Sequence, residues 1–223
     1  MKAIVICSKK ENCLPVLFES IDQYVQDNVT VYMSGSSKTL KTKNTINFPN
    51  IGTTFGESYN HAVKRAFQNH DELIVSNDDV VLNPNTWQLL CEDVNLLKEK
   101  YGESLGWVAT RSNVVRPQQC ISDSELIDDC INERLVVAPI FAYINKKAWI
   151  DFPEINWYSD DIQCYDMCVK GNKHFVSRSY VHHVGSNTIG LDKNALIRES
   201  LKKIIKSRPD MIEHVLTMMG VLT

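Results

Sequence analysis

Short apolar runs alternate with amphipathic segments along the first hundred residues of this chain. Continuous apolar runs predict strands over residues 3–7, 29–33 and 73–75, because strands buried on both faces are apolar throughout. Apolar residues at helical spacing predict helices over residues 14–25, 59–67 and 87–101. This alternation is typical of right-handed βαβ units, which build a parallel sheet.

The second half has a less regular pattern. Short apolar runs predict strands over residues 107–110, 136–144 and 175–177, and helical spacing predicts helices over residues 162–170, 192–206 and 211–219. The polar segment 117–132 is expected to form a long loop. Because no repeat or low-complexity linker divides the chain, we expect a single α/β domain.

Composition excludes several classes of protein. Hydrophobic residues make up 43% of the 223 residues, so the chain can fill one core. The longest apolar run, over residues 135–144, is too short for a membrane span of about 20 residues, and from the first residues we expect no leader peptide. The net charge of −3 argues gently against nucleic acid as a partner. Seven cysteines without a CxxC pair fit a reducing cytoplasm.

Small polar residues and carboxylates follow the first three predicted strands. Ser8 follows the first strand, Ser34 and Gly35 follow the second, and Asn77-Asp78-Asp79 follows the third. Ligands of open parallel sheets bind at the carboxyl ends of the strands, so these turns should lie along one edge. Hydroxyls and backbone N–H groups suit a phosphate, and carboxylates beside a phosphate imply a divalent cation.

Each acidic or histidine cluster has a structural and a functional interpretation. Asn77-Asp78-Asp79 could be a turn that caps the strand or part of a cation site. Asp160 and Asp161 could cap the following helix, or one of them could be a general base. His182 and His183 could be ordinary strand residues or metal ligands. The residue types alone do not decide between these alternatives.

The order of these clusters resembles the GT-A glycosyltransferases of the large family-2-like group, which use nucleotide-sugar donors. Residues 31–37 (VYMSGSS) are similar to the family's V-D-N-G-S turn, and 74–82 (IVSNDDVVL) to its L-N-N-D-V-V-L metal motif. Residues 157–171 resemble its late E-D-x-D motif, and 180–186 (YVHHVGS) its terminal V-x-H-x-G-S. The similarity extends over roughly residues 1–190.

The resemblance implies the fold and its division. It predicts a GT-A (Rossmann-like) three-layer sandwich with a mostly parallel central sheet. Residues 1–110 would be the nucleotide-sugar-binding half, residues 111–190 the acceptor and catalytic half, and residues 191–223 closing helices.

The resemblance also assigns roles to the metal and base residues. Asp79 would be the main ligand of a Mn²⁺ or Mg²⁺ ion, and His183, in preference to His182, would complete the protein's share of the site. Asp160 or Asp161 would deprotonate the acceptor hydroxyl. The nucleotide-sugar would be bound by the following residues: Ser8, Ser34, Gly35, Asn60, Asn77, Asp78 and Arg111.

The implied activity is transfer of a hexosyl or pentosyl group from a nucleotide-sugar to an acceptor hydroxyl, with inversion. The acceptor could be a glycan, a lipid-linked intermediate, a protein, or a hydroxymethylated DNA base as in small phage-encoded transferases. The alternative is a non-catalytic nucleotide- or sugar-binding module, which the replacement of a family acidic residue by Met33 would fit. A haloacid-dehalogenase-type phosphotransferase would need Asp-x-Asp where Cys7-Ser8-Lys9 stands.

Overall fold

The computed structural model describes residues 2–121, 130–185 and 193–218. Its strands are β1 Ala3–Cys7, β2 Thr30–Ser34, β3 Asn44–Phe48, β4 Glu72–Ser76, β5 Val80–Leu82, β6 Leu105–Ser112, β7 Asn132–Arg134, β8 Phe141–Asn145 and β9 Lys173–His183. Its helices are α1 Leu14–Tyr24, α2 Phe55–Ala66, α3 Thr86–Tyr101, α4 Ser159–Val169, α5 Lys193–Ser207 and α6 Ile212–Met218.

Strand β1 sends alternate side chains into two separate apolar cores, as the period of a strand requires. Ile4 and Ile6 pack into one core with residues of α1 and α3. Ala3 and Val5 pack into the other core, to which α2 and α4 contribute. The sheet is therefore covered by helices on both faces, which gives the three layers.

All described strands belong to one sheet, in the order β3-β2-β1-β4-β8-β6-β9-β5, with β7 paired to β9. Strands β1, β2, β3, β4, β6 and β9 run in one direction, and β5, β7 and β8 run in the opposite direction. The carboxyl ends of β1, β2, β4, β6 and β9 therefore lie along the same edge. The mostly parallel α/β sheet is confirmed.

The C-terminal helices pack through a third apolar cluster. Ile204 of α5 and Val215 of α6 contact Ile155 and Ile162, with Met211 of a short 3₁₀ helix between them. Ile162 belongs to α4. This cluster fixes the end of the described chain against α4 and the segment before it.

The pattern of apolar residues located most elements but not all of their ends. The first three predicted strands and the first three helices are confirmed, whereas β3, β5 and β7 were not predicted. Of the predicted strand 136–144, only the part from Phe141 is strand, since Pro139 precedes it. Parts of the predicted loop 117–132 and helices 192–206 and 211–219 lie outside the described residues. Within the described residues, no helix is long and apolar enough to span a bilayer.

Candidate active site

A groove of about 660 Å³ lies at the carboxyl edge of the sheet. It is lined by the turn after β4, by the segment 114–116 after β6, by the start of α4, and by Lys193 and Leu196 of α5. A second cavity of about 720 Å³ lies at the ends of β1, β2 and β3. The two cavities share Lys9 and Asn50, so they lie next to each other.

Asp79 and His183 meet in this groove. Nε2 of His183 lies 3.0 Å from Oδ1 of Asp79. The pairing of β5 with β9 brings them together, because Val80 lies opposite His183 and the Val184 N–H donates to the Asp79 carbonyl. Both side chains are nearly buried. His182, the neighbour of His183, lies opposite Val81 and lines neither cavity.

The backbone orients the imidazole of His183 toward Asp79. Nδ1 of His183 lies 2.7 Å from the carbonyl oxygen of Val114, to which it can only donate. In the neutral ring, Nε2 then carries the lone pair that a metal ion requires. Burial lowers the pKa of His183, but the hydrogen bond and the charge of Asp79 outweigh it, so the pKa is raised.

These two residues fit a divalent cation as a partial ligand set. One carboxylate oxygen and one imidazole nitrogen at this separation are ligand types that Mn²⁺ accepts. In the part of the chain that the structure describes, no group of three or more His, Cys, Asp and Glu side chains could hold a metal ion. The remaining ligands would have to come from water and from a bound phosphate.

Asp78 and Asn77 continue the same turn. The Ser8 hydroxyl donates to Oδ2 of Asp78 at 2.7 Å, and both side chains are buried. The Asn77 N–H donates to the Ile140 carbonyl at 2.8 Å, which ties the turn to the segment before β8. Asn77 and Asp78 both line the groove beside Asp79.

The second cavity is lined by short polar side chains and one carboxylate. Ser8, Gly35 and Ser36 lie along it, and the Ser36 hydroxyl donates to Glu11 Oε1 at 2.5 Å. Glu11 also pairs with Lys38 at 3.3 Å. This hydrogen bond from Ser36 is the main reason that the pKa of Glu11 is lowered.

Gly35 makes the β2 turn possible. Its φ is +89°, and a Cβ atom at this position would lie 2.2 Å from the Ser8 carbonyl oxygen. Only glycine therefore lets the end of β2 approach the end of β1 this closely. The close approach brings both strand ends to the cavity.

Arg116 bridges the two carboxylates at the start of α4. Its Nη1 donates to Oδ1 of Asp161 at 2.8 Å, and its Nη2 donates at 2.6 Å to one oxygen each of Asp160 and Asp161. His214 of α6 adds a contact of 3.2 Å between Nε2 and Oδ1 of Asp161. The side chain of Asp161 is completely buried, whereas Asp160 is 20% exposed.

The same contacts shift the pKa values of the two carboxylates in opposite directions. Burial raises the pKa of Asp161, but the bonds from His214 and Arg116 outweigh it, so the pKa is lowered. For Asp160, burial outweighs the attraction of Arg116, and the pKa is raised. Of the two carboxylates, Asp160 is the one with exposed surface toward the groove.

Tyr158, directly before α4, is the one described non-glycine residue with a positive φ, +66°. Left-handed backbone costs a residue with a Cβ about 1 kcal/mol or more and is often found at functional sites. The turn at Tyr158 aims Asp160 and Asp161 into the groove, which Tyr158 itself also lines.

Three predicted nucleotide-sugar-binding residues lie away from both cavities. Ser34 is fully buried. The Asn60 side chain pairs with the Phe152 backbone through two hydrogen bonds of 2.8 Å. Arg111 donates to the carbonyls of Ser177 and Cys130 at 3.1 and 2.8 Å. The structure therefore does not bring these side chains to the groove.

Arg116, His214 and Lys193 were not predicted as site residues. Arg116 lies in a polar loop, and His214 and Lys193 lie on C-terminal helices whose pattern indicates only packing. Lys193 Nζ lies 5.3 Å from the ring centre of Trp157, and both line the groove. The one available signal was the adjacent acids Asp160 and Asp161, because a buried pair of carboxylates requires cations nearby.

No family model matches the chain, and no curated protein sequence matches it. Several solved structures, in contrast, are similar to the chain in fold. GalNAc-T7, solved with UDP, GalNAc and Mn²⁺, is 10% identical with a TM-score of 0.59, over 82% of this chain but only 43% of that one. S. aureus TarS 1–349, solved with UDP-GlcNAc, is 14% identical with a TM-score of 0.59, over 93% of this chain and 68% of that one.

A second structure of S. aureus TarS 1–349 matches with a TM-score of 0.52 at 14% identity, over 93% of this chain and 66% of that one. Likenesses at such identities establish the arrangement of strands and helices and nothing about activity. Together with the sheet order and the groove at its carboxyl edge, they show that this chain has the GT-A fold.

Proposed function

We propose that the chain is a metal-dependent glycosyltransferase that moves a sugar from a nucleotide-sugar donor to an acceptor hydroxyl, with inversion. One observation carries the proposal: the Asp79–His183 pair and the Asp160 carboxylate line the same groove. A cation site and a general base facing one space are what transfer from a nucleoside diphosphate requires.

The similar structures support this proposal through the molecules bound to them. GalNAc-T7 was solved with UDP and Mn²⁺, and TarS with UDP-GlcNAc. In this chain, Asp79 and His183 would hold the cation, Mn²⁺ or Mg²⁺. When bound, the cation would neutralise the charge that develops on the departing diphosphate.

The nucleoside would occupy the cavity at the ends of β1, β2 and β3. Ser8 and Gly35 line this cavity, and Glu11 supplies a carboxylate on its wall. Met33, in the position where the resembled family has an acidic residue, is buried in the apolar core. Glu11 would then be the acceptor for a nucleobase N–H.

Asp160 would act as the general base. It would accept the proton of the acceptor hydroxyl while the hydroxyl oxygen bonds to the anomeric carbon and the bond from that carbon to the diphosphate breaks. Attack from the side opposite the leaving group inverts the anomeric centre. Asp161 has no exposed surface and accepts hydrogen bonds from Arg116 and His214, so it would instead hold Arg116 in place.

We propose only the class of acceptor. It is a hydroxyl group of a glycan, a lipid-linked intermediate, a protein or a hydroxymethylated DNA base. We also propose a cytoplasmic location. It is supported by the seven cysteines, all of which are free thiols, because oxidising compartments favour disulfides.

Thermal unfolding with a panel of nucleoside diphosphates and their sugars, with Mn²⁺, Mg²⁺ or EDTA, tests donor binding. A ligand of the native state raises the unfolding temperature by mass action, so we expect one nucleotide class to give a shift that EDTA abolishes. Hydrolysis of the best donor then tests turnover. No shift with any nucleotide would refute the proposal.

A binding module without catalysis is the second candidate, and one contact favours it. Asp160 accepts a hydrogen bond of 2.6 Å from Arg116, and this bond competes with an acceptor hydroxyl for the same oxygen. A metal-dependent shift without hydrolysis or transfer for any donor would favour this module over the enzyme.

A further inference from the structure

Helix α6 contributes a side chain to the carboxylate pair, although it lies near the end of the described chain. His214 Nε2 is 3.2 Å from Oδ1 of Asp161, 53 residues earlier. The side chain of His214 is 26% exposed, and that of Asp161 is not exposed at all. His214 therefore contacts Asp161 from outside the groove.

The contact continues through Arg116 to the proposed base. Asp161 Oδ1 receives hydrogen bonds from both His214 and Arg116 Nη1, and Asp161 Oδ2 receives one from Nη2. The same Nη2 reaches Asp160. Because the guanidinium is planar, fixing the Asp161 carboxylate also fixes the direction in which Arg116 meets Asp160.

Packing holds His214 in this position. Its neighbour Val215 is fully buried and packs with Ile162, the residue that follows Asp161. Ile155 and Met211 complete the contact between α6 and the start of α4. The apolar residues next to His214 and Asp161 in the chain contact each other, and these contacts fix the position of His214 relative to Asp161.

We propose that His214 is a positioning residue, which holds the Asp161–Arg116 pair in the one arrangement that aims Asp160 into the groove. The inference rests on the proposed function for its effect on rate, but the effect on Arg116 is independent of it. Loss of the imidazole leaves Oδ1 of buried Asp161 with one donor instead of two, and the pair can then shift.

Three variants separate positioning from mere packing. His214→Leu keeps a side chain of similar size but removes the donor, and His214→Gln restores an N–H donor. Glu213→Gln changes the exposed neighbour on the same helix and is the matched control. Thermal unfolding of all three checks that α6 remains packed.

The first readout does not need an active enzyme. Exchange of the Arg116 guanidinium hydrogens with water, measured by NMR, reports how firmly the pair is held, and Arg116→Lys identifies the signals. We expect His214→Leu to speed this exchange about tenfold, and His214→Gln and Glu213→Gln to remain near wild type. Unchanged exchange in His214→Leu would overturn the proposal, whatever the protein's activity.

The second readout uses the donor found by thermal unfolding. We expect His214→Leu to lower kcat about 10- to 100-fold, because a small misplacement of a catalytic group has an effect of this size. The donor KM should change less than about twofold, since His214 lies outside the groove lining, and His214→Gln should recover most of kcat. A kcat of His214→Leu equal to that of Glu213→Gln would contradict positioning.

If wild type turns over no donor, the proposed activity fails, and the guanidinium exchange alone decides the link between His214 and Arg116. If exchange accelerates but kcat stays unchanged, His214 orders Arg116 but does not position Asp160. The proposal that His214 aims Asp160 into the groove would then be wrong.

Discussion

Nε2 of His183 lies 3.0 Å from Oδ1 of Asp79, although 104 residues separate them in the chain. Neither residue is placed by local structure alone. The antiparallel pairing of β5 with β9 brings the two strand ends together, with Val80 opposite His183. The metal site that we propose is therefore a product of the sheet topology.

Replacing Asp79 with Asn should remove the proposed cation ligand while leaving an isosteric side chain in the turn. We expect the donor Kd in Mn²⁺ to rise about 10- to 100-fold, since one of only two protein ligands is lost. Calorimetry of donor binding with and without Mn²⁺ measures this. Asp151→Asn, a surface carboxylate paired with Lys64, is the control, and equal Kd values for both variants would exclude the metal role.

Asp160→Asn and Asp161→Asn should fail in different ways. Asp160→Asn should bind donor normally and lose the chemical step by about 100-fold or more, because the base is gone. Asp161→Asn should lose about 3 kcal/mol of stability, since Arg116 keeps its charge in a buried site without its main partner. Urea unfolding and kcat, measured on both variants, test the pair. Equal loss of stability in the two would contradict this division.

Gly35→Ala should destabilise the protein more than Gly171→Ala. Both glycines have a φ near +90°, so both variants pay about 1 kcal/mol or more for left-handed backbone. Only at Gly35 would the new Cβ collide with backbone, the Ser8 carbonyl, whereas nothing lies within 4 Å at Gly171. The difference in unfolding free energy isolates the collision, and similar values would show that the turn can relax.

His174 should make stability depend on pH. Burial lowers its pKa from the ordinary value of about 6.5. The Trp107 N–H donates to its Nδ1 at 3.0 Å, and its Nε2 lies 3.0 Å from the Cys164 carbonyl, so the folded ring is neutral. Below pH 6.5 the unfolded chain binds a proton that the folded chain does not, so this stabilisation is lost as the pH falls.

Urea unfolding between pH 5 and pH 8 checks this expectation. The free energy of unfolding should fall below pH 6.5 in the wild type, and the fall should be shallower in His174→Gln, which does not titrate. Parallel curves for the two proteins would show that other groups cause the pH dependence.

The pattern of apolar residues predicted the buried strands well and the polar strands poorly. Strand β3, Asn44–Phe48, lies at the sheet edge with largely uncovered side chains, so no apolar run marks it. Strand β9 was predicted only at residues 175–177. Its continuation is polar because Asp93 of α3 accepts hydrogen bonds from Ser177 and Arg178. Such pairing over more than 80 residues cannot be read from local sequence.

The part of the candidate site that directly follows β4 could be predicted from the sequence. Asn77, Asp78 and Asp79 come directly after β4, so the rule for ligands at strand ends located them. The groups that distinguish Asp160 from Asp161 do not follow this rule. Arg116 and His214 reach them from a loop and from a separate helix, through contacts that only the folded chain defines.

The strand order also sets how this protein could be recombined with others. Strand β5 comes from the first 110 residues but lies at the far end of the sheet, beyond β8, β6 and β9. Exchange of residues 111–190 for those of another protein would replace the strand against which β5 pairs, and with it the imidazole facing Asp79. A chimera joined at residue 110 would need a matching β9 in order to rebuild that contact.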